Sequence, residues 1–211
     1  LIDAGAGTDT IYGWSNISLT TATGGAGVDT IRWGWGTTIN GDKIGSTITK
    51  GLFQGGLGID SITLQANTVS GTTVEGGGGS SSSNDAADQL IVEGYGATDG
   101  SAVNVEVSGS LVQGNAGADN IRVGDLVTNS VSAAANIVSS TIRGGKNNDL
   151  ITVGTAFDVS NSVIYGDNGA DVVRITASRD ILGSTIQGGS NTDTTTDLAD
   201  ELIITAGTNI S

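Results

Sequence analysis

The chain of 211 residues contains no cysteine, histidine, proline or methionine. Without cysteine it cannot form disulfides, and without cysteine or histidine it lacks the usual ligands of zinc, haem and iron–sulfur sites. The Ser-His and Cys-His nucleophile pairs of many hydrolases are excluded for the same reason. Aromatic residues make up only 4% of the chain. Little side-chain chemistry remains, and we expect that the protein is not an enzyme.

Basic residues are scarce as well. The chain has 8 lysine and arginine residues against 22 aspartate and glutamate residues, a net charge of −14. Nucleic-acid binding needs a basic surface, so nucleic acid is not an expected partner. An acidic chain suits hard cations with oxygen ligands. No apolar run approaches the roughly 20 residues of a membrane span, and a signal peptide is not expected at the start of the chain.

What the chain does have is glycine, 35 residues of it, arranged in a repeat. The segment Gly144–Val153 shows the plan, which is a glycine turn, an aspartate and then alternating apolar residues. The turn aspartate recurs at Asp9, Asp29, Asp60, Asp88, Asp119, Asp149, Asp171 and Asp200. Two residues after each lie Ile11, Ile31, Ile62, Leu90, Ile121, Ile151, Val173 and Leu202. Four residues after each lie Gly13, Trp33, Leu64, Val92, Val123, Val153, Ile175 and Ile204.

This period of two predicts a strand with one buried face after each turn. A second strand is predicted before each turn, where apolar residues such as Phe53 and Ile142 follow small ones such as Gly51 and Ser140. Each repeat is then strand, glycine turn, strand and return loop. One such unit cannot bury its apolar face alone, whereas stacked units can.

We therefore expect an all-β fold, a right-handed parallel β-solenoid that resembles a β-roll, with about eight coils of roughly 20–31 residues. The return loops after Asp29, Asp88 and Asp119 are longer than the others. We expect residues 1–211 to form a single repeat solenoid. Because the chain starts inside one predicted strand and stops just after another, it is expected to be a segment of a longer protein.

The turns are candidate cation sites. Glycine permits positive φ, and such a turn directs several carbonyl oxygens to one side. Stacked copies would place these carbonyls and the aspartates against the next coil at about 4.8 Å. Ca²⁺ accepts such a flexible set of oxygens, whereas Mg²⁺ demands octahedral geometry and keeps its water. The competing interpretation is that the aspartates only cap the turns through hydrogen bonds.

The motifs Gly24–Ile31 (GGAGVDTI) and Gly55–Ile62 (GGLGIDSI) resemble the GGxGxDxU calcium-binding repeat of RTX, or haemolysin-type, proteins. Looser matches begin at Ala4, Gly114, Gly144 and Gly166. The motif occurs once per coil here, so the resemblance implies that calcium binds between successive turns on one edge only. The implied metal-binding residues are the eight turn aspartates together with Gly25, Gly27, Gly56, Gly58, Gly117, Gly145 and Gly169.

Two turns are longer than the others. The segments Gly76–Asp88 and Gly188–Asp200 have the same length, and both end in Asp-x-Ala-Asp. This adds Asp85 and Asp197 to the candidate ligands. The pattern fits either an extra calcium site, with Asp193 as a further ligand, or a solvated bulge.

These features favour a calcium-binding structural segment of a large extracellular bacterial protein of the surface-layer, sheath or adhesin type. Its partners would be calcium and neighbouring repeats or copies of the same protein. The alternative is a carbohydrate-binding or carbohydrate-processing β-solenoid, such as a phage tail fibre or spike or a secreted exoenzyme, which would have glycans as partners. Four aromatic residues near the start suit that alternative, although one of them falls on an inward row: Tyr12, Trp14, Trp33 and Trp35.

Overall fold

The computed structural model describes residues 1–14, 16–34, 37–39, 42–44, 46–77, 85–96, 102–124, 135–189 and 197–211. These residues form 26 β-strands, and the predicted all-β, parallel-stranded solenoid is confirmed. Within the described ranges there is no helix that is long and apolar enough to cross a membrane.

The strands, in chain order, are β1 (Ile2–Gly7), β2 (Thr10–Gly13), β3 (Ile17–Ser18), β4 (Thr21–Gly27), β5 (Thr30–Trp33), β6 (Thr37–Ile39), β7 (Asp42–Ile44), β8 (Thr47–Thr49), β9 (Leu52–Gly58), β10 (Ser61–Gln65), β11 (Thr68–Ser70), β12 (Thr73–Gly77), β13 (Gln89–Glu93), β14 (Tyr95–Gly96), β15 (Ala102–Val103), β16 (Val105–Ser108), β17 (Leu111–Ala116), β18 (Asn120–Val123), β19 (Ala135–Val138), β20 (Thr141–Lys146), β21 (Leu150–Ser160), β22 (Val163–Asn168), β23 (Val172–Leu182), β24 (Thr185–Gly189), β25 (Glu201–Ala206) and β26 (Asn209–Ile210).

The strands that precede the glycine turns form one parallel sheet, with the order β1-β4-β9-β12-β17-β20-β22-β24. Its eight members correspond to the eight predicted coils. The pairing continues into the turns themselves, where Gly5, Gly25 and Gly56 are register partners. The glycine turns are therefore an extension of the sheet, stacked one on another at the interstrand spacing.

The second sheet differs from the prediction. It contains the strands that follow the turns, β2-β5-β10-β13-β18-β21, as expected. It also contains a third short strand from the return segment of each coil, in the order β3-β8-β11-β16-β19-β21. In coils six and seven the second and third strands merge into the single long strands β21 and β23. The predicted return loop is thus largely a strand.

The longer return segments lie in the chain between the second and third strands of their coils. Two of them contain antiparallel hairpins, β6–β7 after Trp33 and β14–β15 after Glu93. The third, after Val123, includes residues 125–134, which lie outside the described part of the chain.

The core is a thin stack of aliphatic rows. The predicted inward residues from Ile31 to Val173 and from Leu64 to Ile175 are buried. The third strands add a row that was not predicted: Ile48, Val69, Val107, Ile137, Val159 and Ile181. At Gly13, which belongs to the same inward row as Trp33, an added Cβ atom would lie 2.2 Å from the Trp33 ring. The glycine of coil one therefore leaves space for the indole of coil two. This indole also packs edge-on against the Phe53 ring, with ring centroids 5.8 Å apart.

The corner between the third and first strands carries a ladder of hydroxyl groups. The residue before the small corner residue has positive φ in every coil from Leu19 to Gly183. The backbone N–H of each corner residue from Gly51 to Ser162 then donates to the hydroxyl of the next corner residue, at 3.1–3.3 Å. This hydroxyl ladder consists of Thr72, Ser110, Ser140, Ser162 and Ser184. It satisfies donors that the corner removes from the sheet.

We predict that Gly56→Ala lowers the free energy of unfolding by about 2 kcal/mol or more. Gly56 has φ +120°, and a Cβ there would lie 1.9 Å from the carbonyl oxygen of Gly25. Gly109→Ala is the matched control, because its φ is +54° and no atom lies within 4 Å of its Cβ position. It should cost only about 1 kcal/mol. Urea denaturation followed by circular dichroism measures both, and equal losses would contradict the close stacking of the turns.

Candidate metal centre at the glycine turns

The eight turn aspartates form a continuous ladder, here called the aspartate ladder. The backbone N–H of each donates to the Oδ1 atom of the aspartate in the next coil, from Asp9 to Asp29 and onward to Asp200. These distances are 2.7–2.9 Å. The six interior members, Asp29 through Asp171, are at most 3% exposed. One carboxylate oxygen of each therefore serves the capping role that was the competing interpretation.

The second carboxylate oxygen is different. The Oδ2 atoms of the ladder members from Asp9 to Asp171 are buried and have no hydrogen-bond partner among the described residues. From Asp29 to Asp171, each Oδ2 atom lies beside the first glycine of its own turn. A Cβ at Gly24 or Gly144 would be 2.6 or 2.3 Å from that oxygen, and 2.6 or 2.5 Å from a glycine carbonyl oxygen of the next coil. The first glycine thus leaves space that a carboxylate and a carbonyl oxygen both face.

This arrangement raises the pKa values of five interior carboxyls, those of Asp60, Asp88, Asp119, Asp149 and Asp171. Burial is the main cause, neighbouring carboxylates add to it, and the hydrogen bond from the adjacent backbone opposes it. Starting from the ordinary value of 3.8, the pKa rises to about 6 for Asp60 and Asp171, about 7 for Asp119, about 8 for Asp88 and about 9 for Asp149. A buried, ionised ladder is therefore unfavourable without a compensating positive charge.

The predicted glycines lie at the second and fourth positions of the turns. Gly25, Gly27, Gly56, Gly58, Gly117, Gly145 and Gly169 all have positive φ. Three non-glycine residues also have positive φ at these positions: Asn115, Asn147 and Asp167. Some turn carbonyls also bond between coils, since that of Gly169 accepts from the Leu198 N–H at 2.7 Å. The turn geometry inferred from sequence thus holds in copies that deviate from the motif.

Both long turns place their extra carboxylate at the ladder. Asp85 accepts hydrogen bonds from the N–H groups of Gly58 and Ala86, at 3.2 and 3.1 Å, and its charge contributes to the raised pKa of Asp88. In the last coil, Oδ2 of Asp197 and Oδ2 of Asp200 both lie within 2.5 Å of the Cβ position of Gly189. The carboxylates at both ends of Asp-x-Ala-Asp therefore belong to the turn edge, and Asp193 lies outside the described residues.

Sequence reasoning missed Asp167 and Arg143. Asp167 replaces the second glycine of the turn in coil seven, and its two oxygens accept from the Arg143 guanidinium at 2.8 and 2.6 Å. Its charge contributes to the raised pKa values of Asp149 and Asp171. The available signal was an aspartate at a position where the motif requires glycine, in the turn that begins at Gly166.

A cation that prefers oxygen fits this edge. Every candidate donor is a carboxylate or a backbone carbonyl, which matches the ligand preference of Ca²⁺. Among the described residues no three carboxylates converge on one point. A cation between two coils would therefore complete its coordination with carbonyl oxygens and water. Because one aspartate pair recurs at each step of the ladder, the donor set would be repeated along the edge.

Comparison of the chain with protein-family models, curated proteins and solved structures returned no match.

We predict that the metal-free chain becomes less stable as pH rises. The pKa values of five ladder carboxyls, from Asp60 to Asp171, are raised on folding, so their protonated form stabilises the fold fully below pH 3.8 and progressively less up to about pH 9. Thermal melts in EGTA across this range measure the effect. High salt screens the general repulsion of an acidic surface and serves as the control. A melting temperature that rises with pH would contradict the raised pKa values.

Proposed function

We propose that the protein is a calcium-stiffened structural segment of a bacterial extracellular surface protein, of the surface-layer, sheath or adhesin type. The observation that carries the proposal is the row of buried Oδ2 atoms from Asp9 to Asp171, which lack partners among the described residues. Calcium between coils would neutralise carboxylates that burial and mutual repulsion otherwise destabilise. It would bind only the folded stack and thereby stabilise it.

The composition supports an extracellular structural role. A chain without cysteine or histidine cannot form the Ser-His or Cys-His pairs that activate the nucleophiles of many enzymes. Its net charge of −14 would attract divalent cations where they are abundant. In a stack of coils each unit contacts only its neighbours, so adding coils extends the rod without changing the design. Neighbouring repeats or copies of the same protein are the proposed partners.

We expect calcium to raise the melting temperature of the chain and EGTA to lower it. A site filled at one hundred times its dissociation constant contributes about 2.7 kcal/mol. Mg²⁺ at the same concentration should act more weakly, because it gives up its water reluctantly. Circular dichroism melts with calcium, magnesium or EGTA provide the measurement. An unchanged melting temperature in calcium would refute the proposal.

Asp119→Asn separates calcium binding from capping. Asparagine keeps the Oδ1 acceptor for the Asp88 N–H, a bond of 2.8 Å, but it removes the charge. Since the pKa of Asp119 is about 7, metal-free Asp119→Asn should be at least as stable as the parent chain at about pH 8. In calcium it should gain less stability than the parent chain, because one carboxylate ligand is lost.

The control for this variant is Asp3→Asn, which removes an exposed carboxylate outside the ladder. Its calcium response should equal that of the parent chain in melts and in calorimetric titration. If Asp119→Asn keeps the full response as well, the ladder aspartates serve only as backbone caps.

A further inference from the structure

We propose that the outer face of the second sheet holds a binding groove for a neutral oligosaccharide. The groove lies on the outer face of the strands that follow the turns, and Ser61, Gln89 and Asn120 in its lining each directly follow a ladder aspartate. The ladder aspartates themselves are buried, and the inference does not depend on calcium binding. Two adjoining depressions form it, and we call them together the outer groove. They enclose about 220 and 170 Å³ and share Gln89 and Ile91.

The outer groove crosses successive coils. Ser61, Gln89 and Asn120 are register partners in neighbouring strands, and all three line it. A ligand that lies along the groove would therefore meet a hydrogen-bonding side chain at each strand, about every 4.8 Å. This arrangement suits an extended chain of similar polar units.

Donors and acceptors are mixed in the groove. Glu93 accepts from Gln65 Nε2 at 2.7 Å and forms an ion pair with Arg122. Gln65 Oε1 and Arg122 Nε are buried without a hydrogen-bond partner among the described residues. Sugar hydroxyls both donate and accept, so they match such a set better than ligands with only one kind of group.

An aromatic platform adjoins the groove at the first coil. Tyr12 and Trp14 are stacked with ring centroids 6.2 Å apart and an interplanar angle of 21°. They are 50% and 59% exposed, although large aromatic side chains are usually buried. Tyr12 is the register partner of Arg32, which lines the groove. A flat, exposed aromatic surface beside hydrogen-bonding side chains can pack against the apolar face of a sugar ring.

Other ligand classes fit less well. The strands beneath the groove, such as β10 and β13, are paired on both sides, so a peptide cannot add as a further strand. The net charge of −14 disfavours a polyanion, and within the groove the carboxylate of Glu93 is offset by Arg32 and Arg122. The polar lining disfavours a lipid chain, which leaves a neutral polyhydroxylated ligand.

The test uses the 211-residue chain in saturating calcium chloride. Cellohexaose, xylohexaose, mannohexaose, maltohexaose and chitohexaose are titrated by calorimetry and by tryptophan fluorescence. At least one should bind. Trp14→Ala and Gln89→Ala should each weaken that binding about tenfold, the effect expected for loss of one good contact.

The matched control is Gln113→Ala, which removes a glutamine from the outer face of the first sheet and should leave binding unchanged. Circular dichroism confirms that each variant is folded. The proposal is overturned if no oligosaccharide binds, if both groove variants bind like the parent chain, or if oligogalacturonate binds more tightly than every neutral probe. Binding of a peptide library in place of all the sugars would overturn it as well.

Discussion

The structure depends on hydrogen bonds at two corners of the coil. At each corner a backbone N–H group donates to a side-chain oxygen of the next coil. At the glycine turns the acceptor is an aspartate Oδ1, and at the opposite corner it is a serine or threonine hydroxyl. Regular strand pairing is interrupted where the chain bends, and unsatisfied donors there would be costly. The two ladders bridge those gaps, so the hydrogen bonding between coils continues around the bends. The aliphatic core can then remain thin.

The two ladders both accept hydrogen bonds from backbone N–H groups at the corners, but only the aspartate ladder introduces charge. A hydroxyl caps a backbone N–H and introduces no charge. An aspartate caps it but brings a second oxygen into the interior, where burial raises the carboxyl pKa to as much as about 9 for Asp149. The choice of aspartate at one corner is therefore not explained by capping alone. A cation held at that corner would give the additional oxygen a role, which is why the turn edge is the functional candidate.

Much of this architecture was predictable from the repeat. Residues such as Ile121 and Val123 recur at fixed distances from the aspartate, so period two identified the inward rows. The third strand of each coil was missed because several of these strands are only two to four residues long. A strand with a single buried residue, such as Val69 in β11, shows no alternation of buried and exposed residues in the sequence. The partner of each Oδ1 was also hidden, because coil lengths of 20–31 residues obscure which groups stack. The outer groove required the register, which brings Ser61 beside Gln89.

The contact between Gly13 and Trp33 limits how such a rod can change its length. A Cβ in place of the glycine hydrogen would overlap the indole, so coil two fits only above a neighbour that is empty at that position. Duplication of coil two would stack Trp33 on a second tryptophan, and deletion of coil one would expose the indole at an end. The central coils, with valine at the corresponding positions of β13, β18 and β21, carry no such restriction. Growth by copying coils is thus easiest in the middle of the rod.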